Sequence, residues 1–135
     1  MSDAMNEDIE GLYQKIGTEA CAAAPDFQGK LLVYAEVEDG AISGSVFYER
    51  GTDRVVTFRF CSEGLINSIL SLWEKWKLHQ GNVEWRAIAY LVRDGKFSVE
   101  IIYPEQMNHD EDLSDRRPRV IEKYFGDAKV DYSRP

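Results

Sequence analysis

The sequence has few of the residues that hold a fold together covalently or bind a metal. Among its 135 residues are two cysteines, Cys21 and Cys61, and two histidines. One cysteine lies on a predicted helix and the other at the end of a predicted strand. We therefore interpret them as small apolar residues rather than as a disulfide or a metal site. This scarcity argues against a small secreted domain that depends on disulfides.

Long apolar runs are also missing. No stretch of 18 apolar residues occurs, so no helix is predicted to span a bilayer. Residues 1–10 hold four acidic side chains and no basic one. A secretory signal instead begins with positive charge and continues with an apolar run. We expect a cytoplasmic protein that does not contact a membrane.

Positive charge is scarce as well. The chain has 24 acidic and 16 basic residues and a formal charge of −8. Such a surface repels a phosphate backbone, which argues against direct binding of nucleic acid. Residues 1–40 hold nine acids and two bases. A one-sided negative field of this kind suits a protein that is steered toward a basic partner.

What is present is a pattern of short amphipathic elements. Apolar residues make up 44% of the chain and aromatic residues 12%, which is enough for the core of one domain. Helical spacing predicts helices over residues 5–24, 62–80 and 114–125. Alternation predicts strands over residues 30–37, 41–50, 54–61, 84–92 and 96–103. Ser114 or Asp115 is expected to cap the last helix, with Pro118 in its first turn.

These elements follow the order α-β-β-β-α-β-β-α. Short turns join the strands, as at Arg93-Asp94-Gly95, and no helical crossovers link neighbouring strands. We therefore predict an α+β fold whose five-stranded sheet is mostly antiparallel and has helices packed on it. Residues 1–126 are expected to form a single domain, and residues 127–135 a C-terminal tail.

No motif of a known catalytic type occurs. An acid pair such as Glu49 and Glu100 would allow general acid–base catalysis, but nothing selects that pair from the many acids. Residues 109–112 and Asp115 offer oxygen ligands without the spacing of a calcium loop. We predict no metal and no cofactor, and we expect this loop to be a solvated one.

Two further groups of side chains have simple structural interpretations. Trp73 and Trp76 could form a partner-binding patch, but their helical spacing favours the core. Residues 116–119 contain the densest basic cluster, and they directly follow the acids of residues 110–115. We expect these bases to pair with those acids.

Six short strings carry a resemblance to a known family. They are Leu12–Ile16, Val33–Val37, Gly44–Tyr48, Asp94–Phe97, Tyr103-Pro104 and Glu122–Gly126. In order and spacing they resemble the YezG-like family of bacterial immunity proteins, over nearly the whole chain. The resemblance implies a small cytoplasmic antitoxin encoded beside a secreted polymorphic toxin, as in contact-dependent growth inhibition. Such a protein binds the toxin domain of its own cell, blocks its active site and has no enzymatic activity.

Many toxins of this kind are nucleases with basic clefts, so exposed acids are the expected contacts. We predict that six acids bind the toxin domain: Glu36, Glu38 and Asp39 at the first turn, and Asp110, Glu111 and Asp112 in the later loop. One alternative is a small enzyme that uses a carboxylate pair or the loop at His109, which predicts a pocket with a perturbed titrating group. The other is an adaptor or weak homodimer that buries residues 54–61 or the two tryptophans against a second copy.

Overall fold

A computed structural model describes residues 2–38, 41–51, 55–79, 81, 84–108 and 110–132. Its helices are α1 (Ser2–Ala23), α2 (Glu63–His79) and α3 (Leu113–Phe125). Its strands are β1 (Lys30–Glu38), β2 (Ala41–Glu49), β3 (Val55–Phe60), β4 (Ala87–Arg93), β5 (Lys96–Ile102) and β6 (Lys129–Asp131). A short 3-10 turn, Pro104–Gln106, follows β5. The α+β class and the order of elements from α1 to α3 are confirmed.

The strands form one sheet in the order β5-β4-β1-β2-β3-β6, with β1 near its centre. The pairs from β5 to β3 are antiparallel, as predicted, but β6 runs parallel to β3. The sheet is therefore mixed, and the prediction of five strands misses the sixth. Three residues of the expected tail form this strand, because the chain leaving α3 returns along the free edge of β3. A run of three residues is too short for alternation to reveal it.

Helices cover both faces of the sheet. α1 and α2 pack on one face, and their core includes Ile16, Ile69 and the odd-numbered residues of β1. α3 packs on the other face, where Ile121 and Phe125 contact the even-numbered side. Every residue of β1 from 31 to 37 is consequently buried. The alternation in the sequence alone is also compatible with a sheet that has one solvent-exposed face.

Local geometry explains several turns and caps. Asp94 and Gly95 both have positive φ, at 54° and 73°, as a two-residue hairpin requires. The Ser62 hydroxyl accepts a hydrogen bond from the Leu65 amide and caps α2. The prediction for α3 is wrong by two or three residues, because Asp112 is its cap. Asp112 exchanges side-chain and backbone hydrogen bonds with Asp115.

Three further features concern the cysteines, a glycine of β2 and the character of the helices. Cys21 and Cys61 are free and half-buried. A side chain at Gly44 would lie 2.7 Å from the Cys61 sulfur, so the glycine of β2 permits a close neighbour. In the part of the chain that the structure describes, no helix combines the length and apolar character needed to cross a membrane.

Candidate functional site

A groove of about 600 Å³ lies on the α3 side of the molecule. It lies between the end of the β1–β2 hairpin, the segment after the 3-10 turn and the beginning of α3. Polar and charged side chains dominate its walls. The lining residues are Glu36, Glu38, Ala41, Ser43, Arg86, Met107, Asn108, Glu111, Asp112, Leu113 and Arg116.

A buried ion pair closes the inner end of this groove. Glu36 is only 9% exposed, and its carboxylate accepts hydrogen bonds from Arg116 Nε at 2.7 Å and Nη2 at 2.6 Å. The Tyr34 hydroxyl also donates to Glu36, at 2.7 Å. The planar guanidinium matches the carboxylate with two parallel bonds, so the pair joins β1 rigidly to α3.

The protonation states of this triad are fixed by its contacts. Burial opposes ionisation of Glu36, but hydrogen bonds from Arg116 and Tyr34 outweigh it and hold the pKa of the carboxyl below its usual value. Burial and the hydrogen bond to Glu36 raise the pKa of Tyr34. The hydrogen bond to Glu36 also raises the pKa of Arg116. None of the three is suited to exchange a proton near neutral pH.

Glu38 and Arg86 form the outer wall at the hairpin. Arg86 Nε donates to the Val37 carbonyl at 2.9 Å, which orients the guanidinium along β1. Its Nη2 lies 3.9 Å from Glu38 Oε1, and the Glu38 side chain is 76% exposed. At that distance and exposure the ion pair is weak. The Glu38 carboxylate therefore remains available to a partner.

The later acidic loop forms the opposite wall. Asp112 is exposed and caps α3, while Glu111 is half-buried and forms an ion pair with Arg119. Arg116 also donates to the Glu111 carbonyl, which ties the loop to the buried ion pair. Asp110 is exposed, and its amide donates to the Asn108 side chain at 3.0 Å. The acids of this loop are thus partly or fully exposed, and hydrogen bonds and an ion pair hold them beside α3.

A second cavity of about 290 Å³ continues under α3 and shares residues of the groove's inner end. Glu100 lies in it and accepts hydrogen bonds from Lys123 at 2.7 Å and from the Tyr124 hydroxyl at 2.9 Å. The hydrogen bond from Lys123 lowers the pKa of Glu100. Glu49 lies at the end of β2, and its carboxylate accepts a hydrogen bond from the Lys30 amide at 2.7 Å. Because β4 and β1 separate β5 from β2, Glu49 and Glu100 do not form a carboxylate pair.

The structure brings most of the predicted acids together. Four of them line the same groove although they come from segments more than 70 residues apart: Glu36, Glu38, Glu111 and Asp112. Asp110 lies beside it without lining it, and Asp39 lies outside the described residues. The expectation that Glu36 is an exposed acid is wrong, because α3 covers this end of β1.

Sequence reasoning missed the basic side chains of the groove. Of the basic cluster, Arg119 pairs with the acidic loop as expected, whereas Arg116 pairs with Glu36, which is 80 residues away. The sequence analysis also did not identify Arg86 as a residue of the groove. The sequence does contain a signal for the pair of Glu36 and Arg116. An acid in an otherwise apolar strand requires a basic partner when the strand is buried on both faces.

The other candidate groups have structural roles. Trp73 and Trp76 pack against the core on the α1 side, and the Trp73 indole donates to the Trp85 carbonyl at 2.9 Å. The core interpretation of the tryptophans is confirmed. Among the described residues, no three His, Cys, Asp or Glu side chains are placed to hold a metal ion. His109 of the proposed loop site lies outside them.

No protein-family model matches this sequence, and no curated protein matches it either.

Proposed function

We propose that this chain is an immunity protein of the bacterial cytoplasm, as its resemblance to the YezG-like family implies. In this proposal it inhibits a secreted toxin domain by binding it in a one-to-one complex. The toxin domain is basic and nuclease-like, and the groove between the β1–β2 hairpin and α3 provides the contact surface. The chain carries out no reaction of its own.

The observation that supports this function is the convergence of two acidic segments on one groove. Four carboxylates and two guanidinium groups line it, so its net charge is negative. Two of the carboxylates, Glu38 and Asp112, are exposed at its rim. A nuclease cleft that binds phosphate presents the complementary charge, and such complementarity speeds association and excludes wrong partners.

The inner part of the groove favours binding over catalysis. An enzyme that uses a carboxyl as a general acid raises its pKa toward the working pH. The described carboxyls with a clear shift are Glu36, Glu100 and Asp112, and the pKa of each is lowered. Glu36 also accepts three hydrogen bonds from Arg116 and Tyr34, which engage both of its carboxylate oxygens. A rigid wall of this kind suits a preorganised binding surface.

Co-expression tests the proposal in cells. The probe is the variable C-terminal domain of the large secreted protein that we expect to be encoded beside this gene. Expressed alone, the domain should arrest growth, and the wild-type chain should restore it. Glu38→Lys should rescue less well because it reverses a rim charge. Glu74→Lys reverses an exposed charge on α2, at the opposite face, and should rescue like the wild type.

Continued growth arrest in the presence of soluble wild-type chain would contradict the immunity function. Equal rescue by both charge-reversal variants would leave that function intact but remove Glu38 from the contact surface.

A further inference from the structure

Strand β5 leaves one edge of the sheet open. It pairs with β4 over seven residues and lies at the end of the strand order. At the other end, the edge of β3 is partly covered by the three residues of β6. Among the described residues, β5 is therefore the longest strand with a free edge.

The register shows which backbone groups of β5 point outward. The two-residue turn makes Arg93 and Lys96 a hydrogen-bonded pair, and hydrogen-bonded pairs then alternate along the hairpin. Lys96, Ser98, Glu100 and Ile102 bond to β4. The amide and carbonyl groups of Phe97, Val99 and Ile101 consequently point away from the sheet.

This edge has few of the features that protect natural edge strands. Such strands are usually short, bulged, interrupted by proline or charged. β5 contains no proline, and its register with β4 has no bulge. Its one acid, Glu100, is turned toward α3 and neutralised by Lys123. Phe97, Val99 and Ile101 are all partly exposed apolar residues on one face.

We propose that β5 is the contact by which two copies of this chain form a dimer. The charge of the edge favours a second copy over the basic partner of the groove. Residues 93–102 hold two acids and two bases, in a chain with a net charge of −8. Two acidic copies can therefore meet along this strand without local repulsion, whereas a basic domain finds no excess negative charge there.

The outward groups define the geometry of the dimer. An antiparallel pairing about a two-fold axis at Val99 places Val99 opposite its own copy and Phe97 opposite Ile101 of the second chain. Each of the three outward residues then donates one hydrogen bond and accepts one. The two sheets join into one, and the apolar face of β5 continues across the axis. Because a single strand pair buries little area, the dimer is weak and depends on concentration.

This surface replaces those that the sequence suggested for self-association. Residues 55–57 of the predicted strand 54–61 are paired with β6, and the two tryptophans pack on the core.

A proline substitution tests the contact. Val99→Pro removes an amide that points away from β4, so the hairpin can still form. Val99→Thr keeps the amide and the branched side chain and is the matched control. Analytical ultracentrifugation from micromolar to millimolar concentration should show a monomer–dimer equilibrium for the wild type and for Val99→Thr. Val99→Pro should remain a monomer with an unchanged circular dichroism spectrum.

Hydrogen exchange on the wild-type chain keeps the test decisive if Val99→Pro does not fold. The amides of Phe97, Val99 and Ile101 should exchange at least several-fold more slowly at millimolar than at micromolar concentration. Those of Ser98 and Glu100, already bonded to β4, should change less. A wild type that stays monomeric overturns the proposal. So does a dimer that leaves the three outward amides unprotected, for example one formed through the exposed Phe60.

Discussion

Glu36 is a buried acid near the end of β1, and its neighbours determine its role. Arg116 and Tyr34 satisfy its oxygens, and α3 shields it from water. A buried charge of this kind is tolerated only when it is paired. Its contribution to the groove is therefore structural, since it fixes the position of α3. Charge that a partner can reach comes from the rim.

Removing the charge of Glu36 should destabilise the fold. In Glu36→Gln the guanidinium of Arg116 loses its ionic partner while it remains mostly buried. We expect the free energy of unfolding to fall by about 3–5 kcal/mol, as for other buried pairs that lose one member. Urea denaturation measures this change. Glu38→Gln, at an exposed acid on the same strand, should change stability by less than about 0.5 kcal/mol.

The same pair predicts how stability depends on pH. The pKa of Glu36 is lower in the folded chain than its ordinary value of 4.5, so the unfolded state takes up protons first as the pH falls. The stabilisation is complete above the ordinary pKa and is lost as the pH drops through the folded-state pKa. The stability difference between the wild type and Glu36→Gln should thus shrink below pH 4.5. A difference that stays constant down to pH 3 would contradict the pairing.

At the scale of helices and strands, elements with a clear period could be predicted from the sequence. The helical spacing of α2 and the Asp94-Gly95 turn are both local patterns, and the structure confirms the elements that they predict. β6 could not be predicted in this way, because its pairing depends on where α3 ends. The cap of α3 was misplaced because residues 110–115 offer several capping side chains, and only the packing of α3 selects among them.

The groove, too, could be predicted only in part from the sequence. Both of its acidic segments could be recognised from their charge, but their meeting depends on the path of α3 across the sheet. The partner of Glu36 is distant in sequence and could not be located from spacing alone.

The capping role of Asp112 gives a prediction for α3. Asp112→Ala removes the side chain that accepts from the Asp115 amide, so stability should fall by about 1 kcal/mol. Asp112→Asn retains an acceptor and should be nearly neutral, because asparagine caps helices as well as aspartate does. Thermal unfolding followed by circular dichroism distinguishes the two. Equal losses would mean that the charge, and not the cap, stabilises this helix.

At the scale of the whole molecule, some acids form ion pairs with α3 and others are exposed at the surface. Three bases on α3 are each paired with an acid from the sheet or the loop: Arg116 with Glu36, Arg119 with Glu111 and Lys123 with Glu100. These pairs neutralise the side of α3 that faces the sheet and the acidic loop. The net charge of −8 is therefore carried by acids elsewhere, including those at the rim.

Rim charge should control how fast the complex forms. Glu38→Lys should lower the association rate with the toxin domain several-fold and weaken its dependence on salt, because steering acts before contact. Glu74→Lys, far from the groove, should change the rate much less. Stopped-flow measurements at low and physiological ionic strength give both quantities. Identical rates for the two variants would exclude the groove rim as the steering surface.

The most direct test of the central claim is a titration of activity. The toxin domain that we expect to be encoded beside this gene is purified and held at a fixed concentration, and its cleavage of nucleic acid is measured as the chain is added. We predict that activity falls linearly to zero at one chain per toxin domain. Full activity in the presence of excess folded chain would contradict the claim that this protein acts by blocking a partner's active site.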